Sequence, residues 1–246
     1  MLLQTPDFLR EVREVTRRHG IPLIADEVLT GFGRTGRLFA CEHGPIDPDL
    51  LCLSKALTGG YLPLAATLAS DEIYRSFLSA DRSRTLFHGH SYTGNALACA
   101  VALESLALFE EEDRLARIAR LERLFAERLA ALAAHPAVAA VRNLGGMAAF
   151  ELAPAPGPPP PAPPPGPAAP GAASTVTPPG SHAPTGATPA AGYFDARGPR
   201  LARRCLDRGL LLRPLGDVVY LLPPYVIDDD AASAAFDTIV AALDGL

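Results

Sequence analysis

Two apolar runs in the first quarter of the chain, IPLIADEV (21–28) and LLCLSK (50–55), each end on charge. Runs this short and apolar, the first of them rich in β-branched residues, read as buried strands. LPLAATLA (62–69) is a third. Helical patterns follow or separate them, and strand–helix alternation of this kind predicts an α/β fold. In open α/β sheets ligands collect beyond the carboxyl ends of the strands. If the first two strands are parallel neighbours, Asp26 and Lys55 reach one crevice.

The rest of the chain supplies the layers. Residues 7–19 read as an amphipathic helix with Phe8, Leu9, Val12 and Val15 on one face. DEIYRSFL (71–78) opens on acids, as helix starts do, and 80–93 form a polar loop. GNALACAVALESLALFEEE (94–112) is expected to be a long, mostly buried helix. RLARIARLERLFAERLAALAAH (114–135) carries Leu115, Ile118, Leu121, Phe125, Leu129 and Leu132 at helical spacing. AVAAVRNLGGMAAFEL (137–152) predicts two strands around Gly145 and Gly146, and LLLRPLGDVVYLLPP (210–224) a strand pair. DARGPRLARRCLDRG (195–209) and DDDAASAAFDTIVAALDGL (228–246) predict helices. Two domains are expected, 1–111 and 112–246, the second a smaller α+β unit interrupted by a Pro-rich insert at 153–190. Residues 152–194 hold no Asp, Glu, Lys or Arg, and 15 of the chain's 25 prolines lie there, so this stretch cannot bury a core. It is expected to be a disordered, partly polyproline linker, with a PxxP ligand as the alternative.

Composition narrows the function classes. A net charge of −5 without a basic cluster argues against a nucleic-acid partner. No apolar run is long enough to span a membrane, and the first residues lack a signal peptide's pattern. Cys41, Cys52, Cys99 and Cys205 show no CxxC spacing, so reduced thiols and a cytoplasmic location are expected.

GFGRTG (31–36) fits a dinucleotide-binding glycine pattern, but no helix pattern follows it and Asp26 and Glu27 precede it. Its glycines are expected to serve tight turns. HGH (88–90) lacks a third ligand for a metal.

Lys55 is the chain's only lysine; the other 21 basic residues are arginine. A lysine amine can lose its proton and form an imine with a carbonyl, which arginine cannot. Pyridoxal phosphate uses such a lysine together with a carboxylate on its pyridinium nitrogen, and Asp26 would supply the carboxylate.

LIADEVLTGFGRTGRLFACEH followed by PDLLCLSKALTGGYLPLAATLAS resembles the class III (ω-type) pyridoxal-phosphate aminotransferases, of fold type I. The 29-residue separation of Asp26 and Lys55 fits that class. The resemblance implies the later part of a mixed large-domain sheet plus a C-terminal α+β domain. It makes Lys55 and Asp26 catalytic and cofactor-binding. In FHGHSYTGN it gives Ser91, where the family usually has threonine, a phosphate of the neighbouring subunit, so a homodimer with a shared site is implied. His90 stands beside it on the cofactor side and Gly89 on the substrate side. In LLRPLG it gives Arg213 a substrate carboxylate, and in VVYLLPP it sets Tyr220 near the substrate. CLSKALTGGYLPLAATL, FHGHSYTGNALACA and LLRPLGDVVYLLPPY are most similar to the biotin-pathway branch, which aminates 8-amino-7-oxononanoate with S-adenosylmethionine or lysine as donor. An ω-aminotransferase for ornithine, 4-aminobutyrate or a similar amine is the alternative. The family's upstream part, with its phosphate-gripping turn and the aromatic stacked on the cofactor ring, has no counterpart here. An inactive fragment is therefore a third expectation.

Overall fold

The computed structural model describes residues 2–154, 195–244 and 246. The Pro-rich linker predicted at 153–190 lies outside the described residues beyond Pro154. Helix α1 (Pro6–Arg18) starts where Thr5 accepts the Phe8 amide and Pro6 occupies the first turn. It stops at Gly20, whose φ is +63°. The predicted apolar face is only half used: Phe8 and Val15 are exposed while Arg13 is buried. Arg13 reaches Asp49 through two hydrogen bonds of 2.6 and 3.1 Å, and Asp49 also accepts the Leu23 amide at 2.7 Å. These contacts hold the Asp49 carboxyl down at a pKa of about 2, the Arg13 bond contributing most. One carboxylate thus ties α1 to the entrances of β1 (Ile24–Asp26) and β2 (Leu50–Leu53).

β1 and β2 are parallel, with Asp26 opposite Cys52, and β3 (Ala66–Ala69) runs antiparallel to β2. Phe32, Leu53, Leu57 and Ala102 form the small core on this sheet. Helix α2 (Asp71–Phe77) is capped by Ser70. Helix α3 (Ala96–Glu111) is capped by Asn95 and buries only Ala98 and Ala102. The expectation that it is mostly buried does not hold, since Leu97 and Leu103 are 73% and 69% exposed. Its surface is apolar nearly all round, but only one stripe meets the first sheet and the following helix.

That helix, α4 (Arg114–Leu132), buries Ile118, Leu121, Phe125, Leu129 and Leu132, as its spacing predicts; Leu115 stays at the margin. It lies on a second sheet, antiparallel throughout, of β4 (Val138–Leu144), β5 (Met147–Leu152) and β6 (Val218–Leu221). Helices α5 (Arg197–Leu206) and α6 (Asp229–Leu243) close the core, in which Phe125 and Phe236 meet edge to face at 5.6 Å. The strand pair predicted over 210–224 is a single strand. Leu215 bridges Val218 around a tight turn, Pro214 has no N–H to give a ladder, and the residues before it pair with no strand.

Candidate functional site

The first strand delivers two acids with different surroundings. Glu27 is 2% exposed, and its carboxylate accepts from the Thr30 hydroxyl and from the Cys41 amide at 2.7 Å. It is a structural acid that fastens the loop leaving β1. Burial, reinforced by that carboxylate, pushes the Cys41 thiol up to about 11, so this cysteine stays protonated and unreactive. Asp26 is exposed, and its Oδ1 accepts the Val28 amide at 3.1 Å. The acid free to meet a ligand is therefore Asp26.

The second strand ends in a turn built for rigidity. The Ser54 hydroxyl donates to the Leu64 carbonyl at 2.8 Å and the Thr58 hydroxyl to the Leu62 carbonyl at 2.6 Å. Ser105 of α3 donates to the Ala56 carbonyl at 3.3 Å. Within this turn Lys55 is exposed and has φ +41°, a left-handed conformation shared among non-glycine residues only by Phe32 and Asp113 in the described chain. Such backbone costs of order 1 kcal/mol or more and persists where the surroundings enforce it. The parallel register puts both Asp26 and Lys55 at the carboxyl ends of adjacent strands.

The other candidates arrive on different elements. Gly89, His90 and Ser91 lie exposed in the loop before α3. The His90 ring accepts the Tyr92 amide at 3.1 Å, which gives it a local role in the turn. Among the described residues no three His, Cys, Asp or Glu side chains gather to hold a metal. Arg213 is exposed ahead of the Leu215–Val218 turn, and Tyr220 is half-buried on β6 opposite Ala149. A cleft of about 270 Å³ lined by Arg117, Arg120, Tyr225 and Asp229 contains none of these residues. The candidate site is an open surface.

Sequence reasoning missed the joint between the two sheets. GFGRTG makes the expected tight turns, with φ +90° at Gly33 and +86° at Gly36. It also docks on the β4–β5 turn: a side chain at Gly145 would sit 2.2 Å from the Gly36 nitrogen. The Gly146 amide donates to the Arg34 carbonyl at 3.0 Å. Arg34 in turn donates to the Gly146 and Pro223 carbonyls at 3.1 and 3.0 Å. Its guanidinium lies 4.5 Å over the Tyr225 ring, and the Tyr225 hydroxyl donates to the Phe32 carbonyl at 3.0 Å. Burial pushes the Tyr225 hydroxyl's pKa up, Arg34 opposing. Its signals, an arginine between glycines and a tyrosine after two prolines, lie 191 residues apart.

The family model described as aminotransferase class-III matches residues 1–243. The chain belongs to the class-III aminotransferases. It is 40% identical to the adenosylmethionine-8-amino-7-oxononanoate aminotransferase of Aquifex aeolicus over 97% of its own length and 47% of that protein. It is 39% identical to the enzyme of the same name from Synechococcus elongatus, over 99% of the chain and 49% of that protein. An omega-aminotransferase of Caulobacter vibrioides is 35% identical over 97% and 47%. The crystal structure of the Methanocaldococcus jannaschii adenosylmethionine-8-amino-7-oxononanoate aminotransferase matches with TM-score 0.78 and 33% identity, over 97% of this chain and 49% of that one. This class-III chain has the fold type I architecture of its structural neighbours, and it spans about half the length of the curated relatives it matches.

Proposed function

We propose that this class-III chain carries the lysine half of a pyridoxal-phosphate aminotransferase that converts 8-amino-7-oxononanoate to 7,8-diaminononanoate for biotin synthesis. The observation that carries the reading is the pairing of Asp26 and Lys55 at the ends of parallel neighbours, Lys55 in a fixed left-handed turn. The donor set fits the cofactor: an exposed carboxylate, a single lysine amine and an exposed serine hydroxyl. When bound, the cofactor supplies an electron sink for the carbon that exchanges its amino group.

The chain's own residues have separable tasks. Asp26 has one oxygen engaged by the Val28 amide, which orients the carboxylate and leaves the other to hold a proton on the ring nitrogen. Lys55 moves a proton at Nζ, and the turn bonds from Ser54, Thr58 and Ser105 hold the backbone from which its side chain extends. Ser91 binds phosphate through its hydroxyl, on the neighbouring subunit's cofactor in a homodimer, with Gly89 and His90 shaping the loop. Arg213 takes a substrate carboxylate with its planar fork, and Tyr220 lines the substrate side. The amino donor is S-adenosylmethionine, with lysine as the competing donor. The exposure of Lys55 and of its surroundings favours a second reading, in which the chain is inactive without further polypeptide around the site.

The test is spectroscopic. The purified chain is mixed with pyridoxal phosphate, reduced with borohydride and digested; the pyridoxyl group is expected on the Lys55 peptide. A label elsewhere, or a band that survives Lys55→Ala, sinks the aminotransferase reading. Turnover of 8-amino-7-oxononanoate with S-adenosylmethionine, lysine, ornithine or 4-aminobutyrate as donor separates the biotin-pathway reading from the other ω-aminotransferases.

A further inference from the structure

Arg213 and Tyr220 belong to the β6 segment of the second sheet, and Asp26 and Lys55 to the strand ends of the first, so their relative placement depends on what joins the sheets. Two side chains, Arg34 and Tyr225, make most of the joint's polar contacts. Tyr225 follows β6 by only Leu222, Pro223 and Pro224, and the two prolines fix their own φ angles. Upstream, Leu215 and Val218 exchange both backbone hydrogen bonds, at 2.9 and 3.1 Å, which ties Arg213 to the same strand. Arg213, Tyr220 and Tyr225 therefore move with β6. On the other side, Phe32 and Arg34 lie in the loop that leaves β1 just after Asp26. That loop is anchored by Glu27 and by Phe32 in the first core. Tyr225 meets it with its hydroxyl on the Phe32 carbonyl and its ring beneath Arg34.

We propose that Tyr225 is a positioning residue, holding the Arg213–Tyr220 segment in register with the Asp26–Lys55 strand ends. The proposal rests on the functional reading above for what those residues bind, but not for the joint itself. Loss of the hydroxyl removes one bond and keeps the cation–π contact; loss of the ring removes both. The aromatic ring also fills the space against Gly146, 3.1 Å from where a side chain there would begin.

Two readouts on the full chain keep the two proposals apart. In the first, hydrogen exchange of the Gly146 amide, bonded to the Arg34 carbonyl, is compared with the β5–β6 ladder amides. Tyr225→Ala is expected to speed Gly146 at least tenfold, Tyr225→Phe about threefold, with the ladder unchanged. Equal Gly146 rates in all three proteins overturn the joint, and if Tyr225→Ala does not fold, the Tyr225→Phe comparison decides. In the second, the cofactor-loaded chain is assayed. Tyr225→Ala should raise the KM for 8-amino-7-oxononanoate at least tenfold while kcat and pyridoxal-phosphate affinity stay within twofold, and Tyr225→Phe should restore most of the loss. An unchanged KM, or cofactor affinity falling in step, refutes the positioning role. A native chain that takes up no cofactor counts against the functional reading alone, and the exchange data then decide the joint.

Discussion

Among the described residues, the second sheet and its helices bury a cluster of sixteen side chains, from Leu121 to Leu243, whereas the first sheet's cluster has four. The two regions share a chain but differ in how they are closed. Around the second sheet α4, α5 and α6 each present an apolar stripe to the strands, and Phe125, Phe150 and Phe236 are all 2% exposed or less. Around the first, Ile24 and Leu68 of the strands are more than half exposed, as are Leu97 and Leu103 of α3. The residues proposed for chemistry sit on the poorly covered region. The residues proposed to grip substrate sit on the well-covered one. Stability and chemistry are thus assigned to different parts of the chain.

That division can be broken by substitution, starting where the effect is largest. Lys55→Arg should reduce amine transfer to background while leaving the folded structure intact, because the guanidinium keeps its proton. Activity assay and circular dichroism read the two halves of this claim. Phe236→Ala should cost about 3–5 kcal/mol in urea unfolding, since its ring is 2% exposed and stacked edge to face on Phe125. A loss of under about 1 kcal/mol would show that the second core is looser than its packing implies.

Arg13→Met is the matching test on the first region. The methionine keeps the stem's packing and leaves Asp49 with the Leu23 amide alone, at a cost of about 2 kcal/mol. The pair also sets a pH dependence. The Asp49 pKa is depressed from 3.8 to about 2, so its stabilisation is complete above the unfolded value and is lost as pH falls from about 4 toward 2. Urea midpoints at pH 6, 4 and 2.5 should fall in that window, and Arg13→Met should flatten the fall. The smallest effect is expected at Leu103→Ala: at 69% exposure it should change stability by less than about 0.5 kcal/mol. Leu129→Ala, at 2% exposure, should cost about 2–5 kcal/mol. Equal losses at the two leucines would erase the contrast.

Much of this arrangement is legible in the sequence because it is local. The three apolar runs become β1, β2 and β3, the glycines of 31–36 and 145–146 make turns, and α4 buries the stripe its spacing predicts. The non-local partners are not legible. Nothing near Arg13 signals Asp49, 36 residues on, and nothing near Arg34 signals Tyr225. Asp26 and Glu27 look equivalent in sequence; only the amide of Cys41 and the hydroxyl of Thr30 distinguish the buried structural acid from the exposed one. α3 misleads for another reason. Apolarity records what a helix can bury, and whether it does depends on neighbours that its own residues do not encode. The 210–224 segment misleads through Pro214, whose missing donor interrupts an otherwise apolar, strand-like run.

The left-handed backbone at Lys55 carries a consequence for evolution. A residue other than glycine, or in part asparagine, holds that conformation against its preference, so native Lys55 works against the fold it belongs to. A chain with glycine or asparagine at this position, stripped of its amine, should melt at a higher temperature than the native protein. Selection for robustness alone would therefore favour replacing the lysine at this position.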